Sequence, residues 1–222
     1  MLDHCGMGFT FLRAACQLTR RSGGLAVLLA GLVSGCGADS RSTTPADVPS
    51  TSGRTASLDR SLAIQSAVQR WADAATLPAA KAAAEHARNL VTGPHVQGAG
   101  DANADGALER VRVGLLPGED GSPGLASPLA GECVQRDVLG GSWADPMARW
   151  AEVTRRIDHW APDSNTFPAL PSHAQRVVGW ASLTLQTDRL ADAHEFSGHA
   201  AGHAGVVVDA LRSPDANPCP DA

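Results

Sequence analysis

The 222 residues predict an all-α fold: a small bundle of about five helices with a long Gly/Pro/Asp-rich loop between the second and third. Three observations carry this expectation. Apolar residues recur at helical spacing wherever the chain is not rich in Gly and Pro. Aromatic residues are only 4%, with five Trp and no Tyr, while Ala recurs throughout, a composition suited to helices packed through small residues and poor for a β-sandwich. The 43% hydrophobic and 18% charged content is globular. A formal charge of -5 supplies no basic face for phosphates, which excludes nucleic acid as the expected partner.

The chain opens on an address. Arg13, Arg20 and Arg21 precede the uninterrupted apolar run from Leu25 to Val33, the charged and apolar regions of a secretory signal, and the run is too short to span a bilayer. It closes on Val33-Ser34-Gly35-Cys36, which resembles the bacterial lipobox. That resemblance implies cleavage after residue 35, a diacylglycerol on Cys36, and a protein anchored through lipid to the cell membrane or outer membrane, facing the extracytoplasmic side. Arg20-Arg21 is followed by Ser22, Gly23 and Gly24 rather than apolar residues, so general secretion is expected over twin-arginine export. Cys5 and Cys16 leave with the leader, and Cys133 and Cys219 remain as an even pair in an oxidising compartment, where a disulfide is the expected state.

Residues 36–56 form the lipidated Cys and a tether. Ser, Thr, Pro and Asp dominate from Ala38 to Ala56 without apolar periodicity, which predicts a flexible spacer. Residues 57–222 form the helical domain. Ile64, Val68, Trp71 and Ala75 mark its first helix, from Leu58 onward. Pro78 opens the second, with Thr76 or Leu77 near its cap, and Gly93-Pro94 stops it. Residues 94–141 are a long ordered loop with one short alternating piece, Val111-Arg112-Val113. The third helix takes Ser142 as cap and Pro146 in its first turn, carries Trp150, Val153, Ile157 and Trp160, and ends at Pro162. After a connector from Pro162 to Pro171, Ser172 caps a fourth helix bearing Val177, Trp180 and Ala181. Thr187-Asp188 cap the last helix, in which Leu190, Ala193, Ser197, Ala200, Ala204, Val207 and Leu211 keep a heptad-like spacing up to Pro214.

Two segments carry ligand chemistry. In residues 100–109, Asp101, Asn103 and Asp105 stand at alternate positions before Gly106, where the chain must turn sharply, so their oxygens can converge on one hard cation. The carbonyl of Ala107 and the carboxylate of Glu109 would add to them. The segment resembles the first nine positions of the calcium loops of EF-hand and dockerin modules, which implies calcium as the ion. It departs at the twelfth position, where Arg112 replaces the bidentate acid, and Glu119 or Asp120 would have to substitute. The same residue types also build Asx turns without any ion.

The last helix holds His194, His199 and His203 within ten residues. His194 and His199 are five apart, about 140° around a straight helix, so they cannot share an ion. His199 and His203 stack one turn apart with Glu195 a turn before, a set able to offer two imidazoles and a carboxylate to zinc, copper or iron, with His86 and Glu85 as contributors from the second helix. Solvated or hydrogen-bonded imidazoles satisfy the same spacing. Phe167 to Ala174, followed by Gly202-His203, resembles the phosphate-binding motifs of acid phosphatases related to vanadium haloperoxidases, which are helical bundles too. Here Ser172 and His173 are adjacent where those families interpose a residue, and no Lys/Arg-Pro motif precedes them, so Ser172 is read as a helix cap. With no nucleophile elbow, phosphate loop or dinucleotide motif, no catalytic residue is assigned. The sequence thus predicts a membrane-tethered, non-catalytic binding or structural domain holding calcium, with an unidentified protein or ligand as partner; the alternative is a transition-metal protein or metalloenzyme.

Overall fold

The structure, a computed structural model, describes residues 51–106, 111–160 and 170–219; the leader, the lipobox with Cys36, and the connector from 161 to 169 lie outside the described residues. Among the described residues every regular element is helical: α1 (Thr51–Ala72), α2 (Leu77–Thr92), a π-helix (Val134–Leu139), α3 (Pro146–Asp158), α4 (His173–Gln186) and α5 (Leu190–Arg212). No helix among them is long and apolar enough to cross a membrane.

Four helices close a ring in which α1 packs on α2, α2 on α4, α4 on α5 and α5 back on α1. Small residues permit this close approach. Ala80, Ala84, Ala87 and Val91 line the inner face of α2, and Ala193, Ala200, Ala204, Val207 and Leu211 that of α5. Ile64, Val68 and Trp71 of α1 and Val177, Trp180 and Ala181 of α4 fill the interior as the sequence spacing predicts, whereas Ala75, read onto the stripe of α1, is exposed beyond the end of that helix. The third helix stands outside this ring, docked on α4 through Trp150, Val153 and Ile157, and the π-helix closes one end against α4 and α5.

The helix boundaries follow local chemistry. Thr76 accepts a hydrogen bond from the backbone N–H of Ala79 and Pro78 sits in the first turn of α2, while Ser172 accepts from the N–H of Gln175 at the start of α4. Three starts differ from the sequence expectation. Helix α1 begins at Thr51, inside the segment read as tether, because adjoining Ser57 is fully buried and its hydroxyl donates to the carbonyls of Gly53 and Leu125, fixing the first turn on the loop. Helix α3 is capped by Asp145, which accepts from the N–H of Ala148, and Ser142 instead closes a turn with the N–H of Ala144. Helix α5 starts after Arg189 with no side-chain cap; Thr187 accepts from the N–H of Arg189 and donates to Asp192.

The long loop is ordered by the bundle it crosses. Leu115 and Leu116, both buried, donate their N–H groups to the last carbonyls of α2, those of Leu90 and Val91, which a helix end leaves unsatisfied. Gly93 and Gly114 make this approach possible: a Cβ on Gly114 would stand 2.5 Å from the nitrogen of Gly93. Residues 114–116 thus strap across the end of α2, and the alternating piece 111–113 before them forms no strand.

Candidate functional site

The acidic loop docks on one face of α2. Glu85 and Asn89, one turn apart and both about 3% exposed, project from the same side of that helix. Asn89 grips the loop's entrance by a reciprocal pair: its amide donates to the carbonyl of Gly100 at 2.9 Å and accepts from the N–H of Gly100 at 3.1 Å. Glu85 grips the middle, accepting the N–H of Asn103 at 2.7 Å. The loop then curls on its own side chains. Asp101 accepts the N–H groups of Asp105 and Gly106, each at 2.9 Å, and Asn103 accepts from the N–H of Asp105 while donating to its carboxylate at 2.8 Å. Gly106 turns at φ +81, the left-handed region that its position demands.

Three carboxylates therefore face one loop. Burial pushes the Glu85 carboxyl above its ordinary value, the N–H groups of Asn103 and Ala102 pull it back, and the charges of Asp101 and Asp105 add to the upward push. Ala107 and Glu109 lie outside the described residues. Sequence reasoning placed Glu85 with His86 as a metal contributor beside the last helix, and the structure places it on the loop instead. Its signal was the polar pair Glu85 and Asn89 at i, i+4 on an Ala-rich helix that otherwise buries apolar positions.

The histidines singled out in the sequence disperse over four environments. His194 bonds through Nε2 to the carbonyl of Ala74 at 2.8 Å, tying α5 to the α1–α2 connection. His199 stacks face to face on Trp180, centroids 4.5 Å apart and planes 14° from parallel, beside Phe196. Glu195 is exposed. His86 stands near Arg60 and Arg70 of α1, and burial together with those two charges lowers its pKa. His203 finds a partner the sequence did not pair with it as a ligand: Nδ1 of His173, the first residue of α4, lies 3.1 Å from Nδ1 of His203. This brings together the two histidines on which the phosphatase resemblance rests, while Ser172 beside them is fully buried and committed to capping α4.

Behind the pair stands Asp137 of the π-helix, buried and held in a fork by the guanidinium of Arg136, with two contacts of 2.8 Å. Its carboxylate is 4.0 Å from Nε2 of His173. Burial, with the charge of Arg176, lowers the pKa of His173. Burial, then the neighbouring His173, Arg176 and His199, lowers that of His203 to about 4, so both rings are neutral at pH 7. Among the described residues no three His, Cys, Asp or Glu side chains are grouped to hold a metal.

Cys133 and Cys219, 86 residues apart, are joined by a disulfide that ties the start of the π-helix to the segment following α5. No family model, curated protein or solved structure matches the chain.

Proposed function

We propose that this chain is an extracytoplasmic lipoprotein, tethered to a membrane through Cys36, whose helical domain binds calcium in a structural or partner-binding role and performs no catalysis. The observation that carries the reading is the closure of Glu85, a buried carboxylate of α2, on the loop formed by Asp101, Asn103 and Asp105. Calcium tolerates irregular shells of six to eight oxygens at about 2.3–2.6 Å, which suits a loop whose twelfth position is Arg112, whereas magnesium demands near-octahedral geometry. The Cys133–Cys219 disulfide supports an oxidising compartment. The lipobox-like Val33-Ser34-Gly35-Cys36 supports the anchor.

Two measurements test it together. In a lipoprotein-processing host the wild type should partition into detergent and Cys36→Ala should remain in the aqueous phase; equal partitioning removes the anchor. On metal-stripped protein, millimolar calcium should raise the melting midpoint, because an ion that binds only the folded state stabilises it. An unchanged midpoint removes calcium and leaves the loop as a set of Asx turns.

A further inference from the structure

We infer that His173 and His203 chelate a divalent transition-metal ion of the zinc or copper class through their facing Nδ1 atoms, with Asp137 orienting His173 from behind. The site is separate from the calcium loop in residues and in donor chemistry, so neither reading rests on the other.

Geometry leads the argument. A tetrahedral ion about 2.0–2.1 Å from each of two nitrogens holds those nitrogens about 3.3 Å apart. The two Nδ1 atoms stand at 3.1 Å with ring planes 72° apart, so an ion needs only a small outward rotation of the rings. An oxyanion does not fit between atoms this close, since it would have to accept from both at full hydrogen-bond length. Without an ion, one ring donates its Nδ1 proton to the other, which fixes both tautomers toward the shared point. With an ion, the donating ring carries its proton on Nε2 instead, so that both neutral rings present Nδ1 lone pairs.

Chemistry follows geometry. Two imidazole nitrogens select zinc, copper or nickel over calcium and magnesium, which take oxygen. Metal-bound imidazoles usually turn their second nitrogen to a carboxylate, and the carboxylate of Asp137, which Arg136 holds in place, stands 4.0 Å from the Nε2 of His173, so a small ring rotation is needed to close that bond. Three elements converge to build this: the π-helix supplies Asp137, the first turn of α4 supplies His173 and the middle of α5 supplies His203. With two protein donors the remaining positions belong to water or an exogenous donor, which makes this an open site rather than a closed staple. His199, one turn before His203, stacks its ring face on Trp180 and has no part in the Nδ1 contact between His173 and His203.

The test is titration of zinc chloride into the full metal-stripped chain with calcium present, followed by calorimetry. One zinc per chain should bind, binding should be lost in His173→Gln and His203→Gln and retained in His199→Gln, and Asp137→Asn should weaken it about 10- to 100-fold. Should a variant fail to fold, electron paramagnetic resonance of the wild type loaded with one equivalent of copper decides: two coupled imidazole nitrogens are expected. No zinc binding, zinc binding unchanged in His203→Gln, a copper spectrum without two imidazoles, or binding of inorganic phosphate in place of zinc would each overturn the site.

Discussion

At His203 the fold holds an imidazole whose pKa falls from 6.5 to about 4, through burial first and then the neighbouring His173, Arg176 and His199. A group depressed in the folded state contributes stability that is present above its unfolded value and lost as pH falls through the folded one. In chelator, stability should therefore drop between pH 6.5 and about 4, with His173 acting in the same direction. Urea midpoints across that range check it, and His203→Gln should flatten the slope; an equal slope in both proteins contradicts the assignment. A second residue-scale expectation concerns Gly114, whose added Cβ would meet the backbone of Gly93 and Thr92 at 2.5 Å. Gly114→Ala should cost roughly 1–3 kcal/mol in chemical denaturation, as overpacking against unyielding backbone does. Little of this was legible in the sequence. The alternation of Asp101, Asn103 and Asp105 was, because it is local; the approach of Glu85 to that loop and of His173 to His203 was not, because only the packing of α2 on its loop and of α4 on α5 creates them.

Helices were legible where one local signal decided them. Thr76 and Ser172 cap as their residue types predict, Pro78 and Pro146 sit in first turns, and most positions read onto the stripes of α1, α4 and α5 are buried, Ala75 being exposed. Ser172→Ala should lower stability by about 1 kcal/mol, measured by thermal or urea denaturation, through loss of the bond to the N–H of Gln175. Elements that depend on distant partners were not legible. The π-helix has no apolar period of its own kind to read. It is fixed from outside, by Cys133 at its start, by burial of Val134, Val138 and Leu139, and by Gly140, whose N–H returns to the carbonyl of Gln135 from a left-handed conformation. The first turns of α1 read as spacer because their Ser and Thr are polar, yet Ser57 is buried by bonds to backbone carbonyls. The sequence reading took Ser142 as the cap of α3, but Asp145, directly before Pro146, accepts the N–H of Ala148 instead.

Over the whole molecule, the ring of α1, α2, α4 and α5 supplies a core of small residues and large buried Trp, and the described residues between α2 and the π-helix depend on it rather than on regular secondary structure of their own. The disulfide reinforces this arrangement by tying the end of that loop to the segment after α5. Reducing it, or replacing both Cys with Ala, should cost roughly 4 kcal/mol, the loop-entropy value for a closed segment of this length, and lower the urea midpoint without abolishing helicity. On the proposed reading, calcium bound at the Asp101 loop should add to stability, while the helices draw theirs from packing. The most direct test of the central claim is equilibrium calcium binding to the metal-stripped protein and to Asp105→Ala. One calcium per chain, bound with a dissociation constant on the order of 10⁻⁴–10⁻³ M as in extracellular modules, not replaced by magnesium and lost in Asp105→Ala with the fold intact, is the predicted result. No bound calcium, or calcium bound equally by Asp105→Ala, would contradict it.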